Sequence, residues 1–177
     1  MTIDKCLVQD DTGKAYIKVA DMCKSKFLLL TDTMEFVPEE IQGVISRYIV
    51  ASNDLILSIV GTIGSVNIVH ENLDGANLTE NCVKLTRFKE LNPEFLYEYL
   101  KSPIGQHEIE MKTVGGVQGK LPLYNIKAIN VLCPLAGIFN RYSEVINALD
   151  SKQNCSAQFI PKLQTLRQIL NAKMSLT

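Results

Sequence analysis

The two histidines, His70 and His107, are the residues of this chain best suited to acid–base or metal chemistry, and neither has a partner at a useful spacing. Glu71 and Glu108 follow them directly, but adjacent residues on a strand face opposite sides and make poor co-ligands. With so few histidines, a Ser–His or Cys–His nucleophile would need a long-range pairing that no spacing indicates. The sequence therefore predicts no metal, no cofactor and no catalytic centre.

Two glycine-containing loops have the composition of phosphate-binding loops without the required spacing. Residues 115–120 end in Gly-Lys, as in a nucleotide-binding P-loop, but the first glycine position holds Val114 and the lysine is followed by Leu121 instead of a hydroxyl. Gly61-Thr-Ile-Gly64 is similar to the loop with which KH domains clamp single-stranded nucleic acid, but it contains no basic residue and follows a predicted strand. Tight turns that use positive φ at glycine explain such segments better.

Short strands must position these loops. The apolar, β-branched run at residues 55–60 predicts a buried strand, and residues 65–69 predict a second strand that forms a hairpin with it. Residues 82–86 alternate as a half-exposed strand should. Shorter strands are expected at residues 16–20, 48–50 and 129–133, and residues 31–42 are expected to form a loop with at most one helical turn.

Short helices complete the domain. Asn92 before Pro93 and Ser102 before Pro103 are N-cap signals, and they predict helices over residues 93–101 and 103–112. A further helical turn is expected within 121–128. The predicted fold class is α+β: a small globular domain of short, mostly antiparallel or mixed strands with short helices, followed by a long C-terminal helix resembling a coiled coil.

That C-terminal helix is predicted by an apolar seam that begins at Ile138. Alternating steps of four and three residues place apolar side chains at eight of eleven seam positions, an average spacing of 3.5 residues. The candidate partner or dimer contacts are Tyr142, Val145, Leu149, Phe159, Leu163, Leu166 and Leu170. Such a helix would be on the order of 55 Å long, so part of the seam should require a partner helix. Pro161 is expected to kink it.

Composition restricts the compartment and the partners. The 177 residues are 46% hydrophobic, which suffices for one domain with an appendage, and no apolar run reaches the roughly 20 residues of a membrane span. Five scattered cysteines and no signal peptide predict a reducing, cytoplasmic location.

The charge is unevenly distributed along the chain. Residues 1–137 carry 13 basic and 17 acidic groups, whereas residues 138–177 carry five basic and two acidic groups. An acidic globular part is unusual for a DNA-binding domain.

Taken in order, the chain resembles the specificity subunit of type I restriction–modification systems. The stretches that carry the resemblance are Tyr16 to Asp21, Val50 to Gly64, Asn81 to Leu85, Phe95 to Ser102, Gly115 to Leu121, Ile129 to Pro134 and Phe159 to Leu170. The resemblance implies a target recognition domain over residues 1–136, with an opening that looks short, and a spacer or dimerisation helix over 137–177. Usual members carry two of each, so the chain is expected to be a half-subunit, a truncated gene product or a fragment.

The resemblance also implies a function. A non-catalytic specificity subunit would read half of a split site in double-stranded DNA and direct methyltransferase and restriction subunits to it, with homodimerisation through the helix as a possibility. The candidate DNA-binding residues, chosen as polar and basic side chains on loops, are Lys18, Lys24, Lys26, Thr62, Ser65, Lys112, Gln118 and Lys120. One alternative is a protein-interaction module that binds no DNA, which the excess of acidic groups in residues 1–137 supports. The other is an uncharacterised small enzyme.

Overall fold

The computed structural model describes residues 3, 6–22, 25–116, 119–135, 137–146, 148–150 and 152. The chain divides into two compact units, Met1–Val131 and Leu132–Thr177. The first unit is a mixed α+β domain, as the sequence predicts.

Two small sheets organise the first unit. In the described part of the chain the strands are β1 (Ala15–Ile17), β2 (Phe27–Leu28), β3 (Glu35–Phe36), β4 (Leu55–Ser58), β5 (Val66–Val69), β6 (Asn77–Leu78) and β7 (Cys82–Leu85). The first sheet has the order β3-β1-β6, with β1 antiparallel to β3 and parallel to β6. The second has the order β2-β5-β4-β7, in which β4 is antiparallel to both neighbours and β2 is parallel to β5.

The described helices of the first unit are α1 (Glu39–Val44), α2 (Pro93–Lys101), α3 (Pro103–Lys112) and α4 (Leu123–Lys127), with 3-10 turns at Val19–Asp21, Ser46–Tyr48 and Glu71–Leu73. The two predicted N-caps are confirmed. Asn92 Oδ1 accepts the Phe95 N–H at 2.8 Å, and Ser102 Oγ accepts the Gly105 N–H at 3.2 Å. Each cap satisfies a backbone donor that the first helical turn leaves without an intrahelical partner.

Strand β4 connects two hydrophobic cores. Ile56 packs with β1 and β6 residues in one core, whereas Leu55 and Leu57 pack with α2 and α3 residues in the other, and all three side chains are fully buried. Burial on both faces explains why the run is continuously apolar instead of alternating. The predicted hairpin of this strand with β5 is confirmed.

Three local predictions are wrong. Residues 46–48 form a 3-10 turn, after which Ile49 makes a single bridge to Asn77. Residues 129–133 lie outside any strand, because Asn130 bonds to helical side chains: its carbonyl accepts the Tyr99 hydroxyl at 2.5 Å and its N–H donates to Glu108 at 3.4 Å. Within the predicted loop over 31–42 the helical turn is present as the start of α1, but the strand β3 was not predicted.

The second unit is helical at residues 137–146, 148–150 and 152. Among the seam residues, Val145 and Leu149 are exposed and Tyr142 is half-buried. Phe159, Leu163, Leu166 and Leu170 lie outside the described residues, so the long coiled-coil helix stays a prediction. Within the described ranges, no helix combines the length and the apolar character that a membrane crossing requires.

Candidate nucleic-acid interface

The strand order brings several predicted loops to one end of the second sheet. Since β4 runs antiparallel to β5 and β7, its carboxyl end at Ser58 lies beside the amino ends of both, with Cys82 directly opposite. Strand β2 is parallel to β5 but begins opposite Ile68, so Lys26 lies beside the middle of β5 and not at its amino end. Lys18 follows β1 and lies beside residues 79–81, because the Thr79 N–H donates to the Ile17 carbonyl at 2.9 Å.

The turn at residues 61–64 is held by side chains beneath it. Buried Ser58 donates from Oγ to the Thr62 carbonyl at 2.5 Å and accepts the Ser65 N–H at 2.9 Å. Gln106 of α3 donates from Nε2 to the Gly64 carbonyl at 3.1 Å. Gly64 has φ +86°, a conformation that side-chain-bearing residues rarely adopt. The exposed Thr62 and half-buried Ser65 therefore stand on a fixed backbone.

The glycine-rich loop lies against this turn. Val114 and Lys120 exchange both backbone hydrogen bonds at 2.8 Å, so the two residues that flank the glycine-rich segment lie side by side. Lys120 also bridges to Val60, and the Leu121 N–H donates to the Ile59 carbonyl at 2.9 Å. A Cβ atom at Gly119 would come within 3.3 Å of the Ile63 side chain, so the two loops are in close contact. The structure thus brings Gly119 and Lys120 of the predicted segment 112–120 beside the turn at residues 61–64.

Three of the candidate lysines are paired with acids of the same unit. Lys18 is bonded to Glu35, Lys26 lies 3.0 Å from Glu98, and Lys112 lies 3.3 Å from Glu108. The Lys26 side chain is only 10% exposed, and its ammonium group lies 5.7 Å from the centre of the Tyr97 ring. This lysine therefore ties β2 to α2. Lys24 and Gln118 lie outside the described residues.

Basic groups that sequence reasoning missed border a cleft beside Lys120. The cleft has a volume of about 720 Å³ and is lined by Arg47, Lys84 and Lys120 together with a single described acid, Glu80. Arg47 and Lys120 are exposed and make no ion pair with the described residues, and Lys84 donates from Nζ to the Ile49 carbonyl. One feature of the sequence could have indicated this cleft, namely the adjacent basic and aromatic residues Arg47 and Tyr48.

Burial and hydrogen bonding shift the pKa of several groups. The Asn130 N–H and the Lys112 ammonium group hold the pKa of Glu108 below its ordinary value of 4.5. Burial raises the pKa of the Cys82 thiol to about 12, so this cysteine stays protonated and unreactive at neutral pH. Among the residues that the structure describes, no cluster of histidine, cysteine and acidic side chains could hold a metal ion.

A mixed α+β domain whose polar loops converge at one sheet end is suited to recognising an extended ligand through its loops. Comparison of the sequence with known families shows which family the chain belongs to. The chain belongs to the type I restriction modification DNA specificity domain family, which it matches over residues 2–161. The resemblance seen in the sequence motifs is thereby confirmed, and so is the prediction that the chain is a non-catalytic specificity component and not an enzyme.

A solved structure agrees on the fold. The type I restriction-modification system S subunit from M. genitalium superposes with a TM-score of 0.54 at 16% sequence identity, and the match covers 95% of this chain. The chain spans 43% of the length of that subunit. No curated protein matches the chain in sequence.

Proposed function

We propose that the globular part, residues 1–136, binds double-stranded DNA and reads half of a split target site for a type I restriction–modification complex. Membership of the DNA specificity family supports this assignment. The observation that carries the site is the close contact of two loops at one end of the second sheet: Lys120 bridges to Val60, and Gly119 lies against Ile63. Two anchored loops side by side can present several polar groups to base edges at once.

Within this proposal the candidate residues fall into two groups. Thr62, Ser65 and Lys120 belong to the paired loops. Together with Gln118, which precedes Lys120 by two residues in the sequence, they are the best candidates for reading bases and holding phosphates. Lys18, Lys24, Lys26 and Lys112 are the remaining candidates. Because Lys18, Lys26 and Lys112 are paired with carboxylates, phosphate binding there would have to replace an existing ion pair. We therefore expect these lysines to contribute less than Lys120 does.

The remaining part of the proposal concerns the partners. Residues 137–177 would form a spacer helix that contacts a second helix, in another copy of the chain or in another recognition unit, and methyltransferase and restriction subunits would dock along it. The helical backbone at 137–146 and the exposed Val145 and Leu149 support this role. An apolar seam that is exposed in isolation gains stability when it is buried against a partner.

The DNA test uses the full chain co-expressed with a type I methyltransferase and a duplex whose target is found by mapping methylated adenines. Replacing both Gln118 and Lys120 by Ala should weaken specific binding and lower the slope of affinity against salt by about one for the lost phosphate contact. Lys127→Ala, which also removes an exposed cation, is the control and should bind as wild type. Equal affinities of all three proteins at matched salt would reject this DNA site.

The helix is tested separately. Leu163→Asp with Leu166→Asp should abolish self-association or co-purification with the methyltransferase, because it places charges in the predicted seam. Gln164→Asp with Gln168→Asp adds the same charge outside the seam and should leave assembly intact. Unaltered sedimentation and co-purification of the leucine variant would exclude the helix as the assembly surface.

A further inference from the structure

The cleft beside Lys120 has a chemical character of its own. Its floor consists of apolar side chains from β6, β7 and the residues that follow β4, such as Leu78, Val83 and Ile59. Its volume of about 720 Å³ lies within the roughly 300–1,000 Å³ of typical small-ligand sites. Its rim carries three cations and one described acid, although residues 1–137 as a whole are acidic. A basic rim on an acidic domain indicates an anionic ligand.

An aromatic and guanidinium platform stands on the same rim. The Arg47 guanidinium lies 4.6 Å from the centre of the Tyr48 ring, and its Nη2 donates to the Tyr48 hydroxyl at 2.8 Å. Arginine planes and aromatic rings are the groups on which proteins stack nucleic-acid bases. The hydrogen bond orients the two groups relative to each other, so less side-chain freedom is lost when a flat ring stacks against them.

We propose that this cleft binds a nucleoside phosphate, with the base on the apolar floor beside Tyr48 and the phosphate at Arg47, Lys84 and Lys120. The ligand can come from two sources, a free nucleotide or one nucleotide of a DNA strand. An acidic peptide also satisfies the cations, but it has no flat ring for the Arg47–Tyr48 platform. Because Lys120 pairs with Val114 through the backbone, a ligand in the cleft contacts the residue at which the glycine-rich segment ends.

The first experiment titrates the isotope-labelled full chain with deoxyadenosine 5′-monophosphate and follows backbone amide shifts by NMR. Shifts should concentrate at Arg47, Tyr48, Lys84 and Lys120. Deoxyadenosine alone and inorganic phosphate alone should each bind at least about tenfold more weakly, because each provides one half of the contacts. A probe peptide of glutamates that binds the cleft more tightly than the nucleotide, or the absence of nucleotide shifts, would overturn the proposal.

Substitutions outside the paired loops localise the nucleotide site. Asn81 lines the cleft and is exposed, so Asn81→Phe should fill it and abolish nucleotide shifts, whereas Asn81→Ala should leave them. Arg47→Ala should weaken nucleotide binding about five- to tenfold. Lys101→Ala, an exposed cation elsewhere, should have no effect. Nucleotide binding that persists in Asn81→Phe would show that the cleft is not the site.

The source of the nucleotide is settled with the reconstituted methyltransferase complex on a duplex that contains 2-aminopurine at successive positions. A fluorescence increase that Asn81→Phe removes identifies a nucleotide drawn out of the DNA stack. Unchanged fluorescence together with retained monophosphate binding identifies a free nucleotide. Because Lys120 belongs to both proposed sites, Gln118→Ala alone separates the two proposals: weaker duplex binding with intact monophosphate binding would leave the cleft standing.

Discussion

Ser58 and Ser65 are joined by a hydrogen bond in which the buried Ser58 Oγ accepts the Ser65 N–H at 2.9 Å. The same hydroxyl donates to the Thr62 carbonyl at 2.5 Å. One side chain thus satisfies a donor and an acceptor of the turn that precedes β5. The position of Thr62 and Ser65 at the sheet end depends on this buried hydroxyl, which lies beneath the turn and out of reach of solvent.

Ser58→Ala should lower the free energy of unfolding by about 1–3 kcal/mol, because it leaves the Ser65 N–H and the Thr62 carbonyl without their partner. Urea denaturation measures the change. Ser65→Ala keeps the backbone bond and is the control, with an expected effect within about 0.5 kcal/mol. Equal stabilities of the two variants would mean that the buried hydroxyl does not fix the turn.

Gly105 is required where α2 meets α3. A Cβ atom at this position would lie 2.1 Å from the Tyr99 carbonyl oxygen and 2.7 Å from Leu100 Cα. Gly105→Ala should therefore force the two helices apart and cost about 3 kcal/mol or more in unfolding free energy. It should also weaken the contact of Gln106 with the 61–64 turn, which hydrogen exchange at Gly64 and Ser65 would report.

The matched control is Gly43→Ala in α1. A Cβ atom there meets nothing within 4 Å, and the residue is helical and exposed. The substitution should raise the free energy of unfolding by about 0.5–1 kcal/mol, since alanine favours the helix. If both alanine variants shifted the thermal midpoint in the same direction, the steric explanation for Gly105 would fail.

Asp54 should give the domain a pH dependence of defined sign. Burial raises the pKa of this carboxyl above its ordinary value of 3.8, although the Ala51 N–H donates to it at 2.9 Å. Between 3.8 and the raised native pKa, the folded state holds a proton that the unfolded chain has lost. The stability from this group is therefore full below 3.8 and is lost as the pH rises through the native pKa.

The Asp54→Asn variant measures that contribution. The amide oxygen can still accept the Ala51 N–H but does not ionise, so the stability of wild type relative to the variant should fall as the pH rises from 3.5 to 7. Chemical denaturation at several pH values gives this difference directly. A difference that is constant with pH, or that grows toward neutrality, would contradict the burial argument.

The sequence alone determined the local structure and the family. The caps at Asn92 and Ser102, the apolar run of β4 and its turn into β5 are signals within a few residues of one another, and each was predicted correctly. Residues 48–50 and 129–133 were wrongly predicted as strands, because a short apolar run does not reveal whether a partner strand is available.

Only the tertiary structure decided how distant residues meet. The parallel pairing of β2 with β5, the ion pair of Lys26 with Glu98 and the cleft shared by Arg47, Lys84 and Lys120 each join residues about 36 to 73 positions apart. No periodic pattern in the sequence indicates such contacts, because they depend on which sheet edges and helices pack together. The residue counts indicate an acidic domain, whereas the fold places three of its basic groups around one cleft.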